Sequence, residues 1–104
     1  MRSLAGMAVV LCLTAAAQAQ LVTGNDLLDN CKDQLGPGAV WCIGYVVGAA
    51  DAVAPPYCVP QGVTRGQILG VVVHFLETRP KDRHRPAALL IQESLQQAWP
   101  SRAR

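Results

Sequence analysis

The chain is 104 residues long, 51% hydrophobic and only 15% charged, with 9 Lys and Arg against 7 Asp and Glu. A formal net charge of +2 excludes a nucleic-acid-binding polycation, and 5% aromatic residues leave no basic patch interleaved with stacking side chains. The length supports one domain with one core.

Residues 1–19 read as a secretory signal: Arg2 is the positive start, Leu4 to Leu13 the apolar centre, and Ala17-Gln18-Ala19 the small-x-small cleavage site. An uncleaved anchor is the alternative, but Leu4 to Ala17 falls short of the roughly 20 apolar residues a bilayer needs. Lipid attachment at Cys12 is a further alternative, opposed by Leu11 where such sites carry a small residue. Cleavage after Ala19 leaves residues 20–104 as one helical domain, expected in the periplasm and off the membrane. Its net charge falls to about +1 with the loss of Arg2. So short a domain needs a staple, and export carries Cys31, Cys42 and Cys58 into an oxidising compartment.

The exported part reads as an all-α bundle of about four helices, without repeats or strand-like alternation. Thr23 with Asp26 caps a first helix carrying Leu27, Leu28 and Cys31, and Gly36-Pro37-Gly38 ends it. A second helix is predicted from Ala39 to Ala54, stopped by Pro55-Pro56. Asp51 is its one charge, so it reads as the central buried helix. Gly44 and Gly48 share one face of it, and their propensity cost of about 1 kcal/mol each points to a neighbouring backbone close by. Asp51 on the same side has two alternatives, an ion pair with Arg65 or a solvent-facing place at the helix end.

Thr64 with Gln67 forms a capping box for a third helix reaching Thr78, with Ile68, Leu69, Val72, Phe75 and Leu76 as its buried stripe and Gly70, His74 and Glu77 opposite. Arg79 to Arg85 is a charged turn. Pro86 opens a fourth helix to Trp99 with Ala88, Ile91, Leu95, Ala98 and Trp99 inward, which leaves Leu89 and Leu90 off the stripe. Cys31 ends one helix and Cys42 begins the next, so the Gly-Pro-Gly turn can bring them together as a disulfide. The alternative, Cys42–Cys58, must double back along a 16-residue helix spanning about 24 Å. Cys58 is then free or bridges two chains.

Residues for catalysis are wanting. His74 and His84 lie on opposite sides of a proline turn with no carboxylate or Cys at metal-ligand spacing, and nothing near Cys58 would orient an imidazole. No phosphate loop or paired-carboxylate motif is present. The expectation is a binding protein, neither enzyme nor cofactor carrier.

The run Cys42-Ile43-Gly44-Tyr45-Val46-Val47-Gly48-Ala49-Ala50-Asp51-Ala52, then Tyr57-Cys58-Val59-Pro60, the Val63 to Leu76 helix, Pro80 and the Ala87 to Pro100 segment resemble the Tai family. These are periplasmic immunity proteins that neutralise peptidoglycan amidase effectors of type VI secretion. The resemblance covers nearly all of the exported chain. It implies an all-helical fold, frequent homodimers, and inhibition by inserting a protruding element into the amidase groove. Relatives often carry a Cys after the terminal Pro, where this chain has Ser101, so Cys58 lacks that partner.

On this reading Arg79, Lys81, Asp82, Arg83, His84 and Arg85 are the effector-binding probe, preorganised by Pro80 and Pro86. Leu89 and Leu90 are the candidate homodimer seam, and Gly44, Gly48 and Asp51 are structural. The alternative function is a small periplasmic chaperone or adaptor using Leu89 and Leu90 to hold clients.

Overall fold

In a computed structural model, residues 21–33, 35–52 and 58–101 are described, and they contain four α-helices and no strand. These are α1 (Gly24–Cys31), α2 (Pro37–Ala52), α3 (Arg65–Glu77) and α4 (Ala87–Ala98), with a 3₁₀ turn at Pro80–Asp82 before α4. The all-helical expectation holds. The predicted signal, Gln34 and the Pro55-Pro56 stop lie outside the described residues.

A helix of eight residues such as α1 is too short to stand alone, and its N-terminal donors show what holds it. The Thr23 hydroxyl accepts from Asp26 N–H (3.2 Å), and the Asp26 carboxylate accepts from Thr23 N–H (3.0 Å), the predicted capping box. The remaining donors of the first turn go elsewhere: Gly24 N–H donates to the Arg85 carbonyl (3.0 Å) and Asn25 N–H to that of Arg83 (2.8 Å). Ala87 N–H donates in return to the Val22 carbonyl (2.9 Å). The charged turn is therefore stitched to the start of α1. The chain can pass this closely only without a side chain at residue 24, since a Cβ on Gly24 would lie 2.6 Å from Leu90 Cδ1 and 2.9 Å from the Arg83 carbonyl oxygen. Gly24→Ala is expected to cost about 2 kcal/mol through this overpacking, read as a lower denaturant midpoint.

Cys31 and Cys42 form a disulfide with Cα atoms 5.0 Å apart, the pairing expected from the turn between their helices. The same corner is tied by Gly38 N–H donating to the Asp33 carboxylate (3.0 Å). α2 starts at Pro37, two residues earlier than expected, because proline suits the first helical position where no N–H is required. The Thr64–Gln67 capping box opens α3 as predicted, after a turn in which Gly62 takes φ 96°, a conformation that favours glycine.

The core is built from all four helices: Leu27 and Leu28 of α1, Cys42 and Val46 of α2, Val72, Phe75 and Leu76 of α3, and Ala87, Leu90, Ile91 and Leu95 of α4. The expected α3 stripe holds, with Ile68 and Leu69 half-buried and Gly70, His74 and Glu77 exposed. In α4 the buried positions are Ala87, Leu90, Ile91, Ser94 and Leu95. The expected stripe is thus corrected: Ala88 and Ala98 are exposed, and Leu90 is core. Ser94 hid the register, since a polar residue breaks the apolar pattern. It is admitted because its hydroxyl donates to the Ile91 carbonyl (2.7 Å) and needs no other partner.

α2 departs furthest from expectation. Only Gly38, Cys42 and Val46 are buried, so it packs on one side and is not a central helix. Four helices leave nothing, among the described residues, to cover its other side.

Candidate functional site

The turn between α3 and α4 holds the six residues expected to meet a partner, and the structure divides them. Arg79 lies over the Phe75 ring, 4.2 Å from guanidinium carbon to centroid, and donates to the Gln97 side-chain oxygen (3.3 Å). Arg83 is half-buried and donates to the Leu76 carbonyl (3.2 Å) at the end of α3, where it joins the Arg79 N–H on the same acceptor and its charge meets the helix dipole. Its Nε is buried with no hydrogen-bond partner. Arg85 makes a two-pronged ion pair with Glu93, one bond at 3.2 Å, with Asp82 3.8 Å away. The hydrogen bond and charge of Glu93, with Asp82 beyond, hold Arg85 more firmly protonated than usual. The turn is therefore no free-standing probe. Its three arginines fasten it to α3 and α4, while Lys81 and His84 are its exposed basic residues.

Gly44 and Gly48 were expected to admit a neighbouring backbone, yet a Cβ at either would meet nothing within 4 Å. They instead floor an open apolar trough of about 380 Å³ with Tyr45, Ala49 and Ala88. Val40, Trp41 and Ile43 of the same helix are 74%, 38% and 40% exposed. Asp51, at the end of the same face, is exposed and forms no ion pair with Arg65, since the ion pairs among the described residues are those of Arg85. Leu89 is 48% exposed, but Leu90 is 1% exposed, so the two cannot form one seam. Consecutive helical residues point about 100° apart, and α4 turns one inward and the other out.

Trp41 and Tyr45, one turn apart on α2, stack with centroids 5.0 Å apart. Partial burial raises the pKa of Tyr45 above its ordinary value. The folded state thus holds this proton more tightly than the unfolded one, and stability present below about pH 10 is lost as pH rises through that value. Tyr45 is expected to ionise above the ordinary tyrosine value by phenolate absorbance, and Tyr45→Phe to blunt the alkaline loss of stability.

Cys58 is an exposed free thiol whose N–H donates to the Trp99 carbonyl (3.0 Å), which fixes the strand of chain before α3 to the end of α4. Sequence reasoning missed the α2 face. An uncharged helix reads as buried, and the same composition also marks a face awaiting a partner.

These features define a small disulfide-bonded helical domain that presents surfaces: a fastened basic turn on one side and an apolar helix face on another. The chain belongs to the Rap1a immunity protein family, whose sequence model, described as Rap1a immunity proteins, matches residues 23–101. Its function is accordingly that of an immunity protein, which binds a cognate secreted effector. The search of curated proteins finds no match.

Proposed function

We propose that this chain neutralises a peptidoglycan amidase effector of a type VI secretion system, acting in the periplasm after loss of residues 1–19. The observation that carries the reading is the Cys42 to Ala52 run, which resembles the Tai proteins and lies within the Rap1a match. Export and oxidation fit a domain stapled by Cys31–Cys42. The effector contact is drawn from the exposed part of the turn, Lys81 and His84, with the α3 and α4 side chains beside it. Two copies associate through α2, where Val40, Trp41 and Ile43 are apolar and exposed and no charge but Asp51 opposes like meeting like.

The test is co-expression with candidate cysteine amidases directed to the periplasm, scored by survival and by capture of a stoichiometric complex. Protection against one amidase is expected. A periplasmically accumulated chain that protects against none, while retaining many clients weakly, would favour the chaperone alternative instead. Trp41→Glu is expected to yield monomers by sedimentation, and an unchanged mass would remove the α2 seam.

A further inference from the structure

Between α3 and α4 two adjoining hollows of about 270 and 250 Å³ share Phe75, Arg79 and Gln97 in their walls. We propose that this groove binds an acidic segment of a partner protein, with a carboxylate held by the guanidinium of Arg79.

Arg79 is the cation common to both hollows, and it is set in place before any ligand arrives. Its plane rests on Phe75, and Thr78 and Gln97 accept from it at 3.5 and 3.3 Å. Both hydrogen bonds are long and to neutral acceptors. A carboxylate exchanges them for a charge-assisted, two-pronged pair without reordering the side chain. Competing negative charge is already engaged. Glu93, in the wall of one hollow, gives both carboxylate oxygens to Arg85. The carbonyls that end α3 are occupied too: Thr78 donates from its hydroxyl to His74 and Phe75, and Arg83 donates to Leu76. The groove therefore presents a guanidinium, the amides of Gln96 and Gln97, and His74, with no unpaired acid in its lining. Amide side chains beside a cation suit an extended peptide, whose backbone they can meet while its acidic side chain reaches Arg79.

The inference deepens the immunity reading, resting on it only for the partner being an effector, and its test needs no effector. The exported protein, labelled with nitrogen-15, is titrated with the blocked tripeptide acetyl-glycyl-aspartyl-glycine amide and with its asparaginyl counterpart. Saturable shifts are expected at Phe75, Thr78, Arg79 and Gln97, with the asparaginyl peptide weaker by about tenfold, the scale of one hydrogen bond between charged groups. Arg79→Lys keeps the charge and loses the fork, so it is expected to weaken binding several-fold, whereas Arg65→Gln, at an exposed position outside the lining of both hollows, changes it by less than about twofold. Arg79→Gln is expected to abolish binding; should it unfold the protein, the lysine variant decides. Equal response to both peptides, shifts scattered over the surface, no saturation, or equal losses in the Arg79→Lys and Arg65→Gln variants would each overturn the proposal. The survival assay would then still stand or fall separately.

Discussion

Replacing Leu90 by Ala is expected to destabilise the protein by about 3 kcal/mol, while Leu89→Ala changes stability by less than about 0.5 kcal/mol. Leu90 is 1% exposed and its Cδ1 faces Gly24, the point where α1, the turn and α4 meet. Truncation removes transfer energy and leaves a cavity that cannot collapse, because the backbone around it is pinned by the Gly24–Arg85 and Asn25–Arg83 hydrogen bonds. Leu89 lies on the outward face among Gln92, Glu93 and Gln96, and its deletion opens nothing. Guanidinium unfolding of both variants separates the registers. Equal and small effects would mean that both leucines are surface residues, as their place outside the apolar pattern had suggested.

That pair shows where the sequence was legible. The caps were clear because each rests on a local rule: Thr23 with Asp26 and Thr64 with Gln67 form both boxes within four residues of chain. The disulfide was legible for the same reason, since a short turn between two helix ends dictates which cysteines meet. Register in α4 was not, because Ser94 is polar and its burial depends on a bond to its own helix that no hydrophobicity pattern records. The place of α2 was not legible either. Its composition shows that it avoids water, but whether this chain or another covers it depends on how many helices surround it, a tertiary matter.

The site was legible in location more than in role. Arg79, Arg83 and Arg85 stand out in the sequence as a cationic cluster, and clustering alone suggested a docking surface. What each arginine does is set by residues far along the chain: Gln97 for Arg79 and Glu93 for Arg85. Removing all the basic residues of the turn together would therefore mix recognition with the loss of interhelix contacts. The single exchange Lys81→Gln isolates the first, since its side chain is exposed.

Loss of the Cys31–Cys42 disulfide is expected to cost about 3 kcal/mol, the chain-entropy value for a loop this short, against a total of about 5–15 kcal/mol for a domain. The separation of the two cysteines is 11 residues. The effect falls first on α1, whose eight residues cannot hold helical structure without neighbours. Two attachments fix that helix, the disulfide at its C-terminal end and the hydrogen bonds to the turn at its N-terminal end. With the first gone, the second alone must keep Leu27 and Leu28 in the core. The Asp33–Gly38 bond still guides the corner, so the reduced protein is expected to fold in water but with a lower denaturant midpoint. Cys31→Ala with Cys42→Ala should reproduce the effect of reduction, and Cys58→Ser should leave the midpoint unchanged because its side chain is exposed. Hydrogen exchange supplies the local readout. The amides of Gly24 and Asn25, which donate to the turn, should exchange faster in the reduced protein, while those of α3 slow or hasten only with global stability. An unchanged midpoint on reduction would mean that α1 is held by its core leucines and the turn alone.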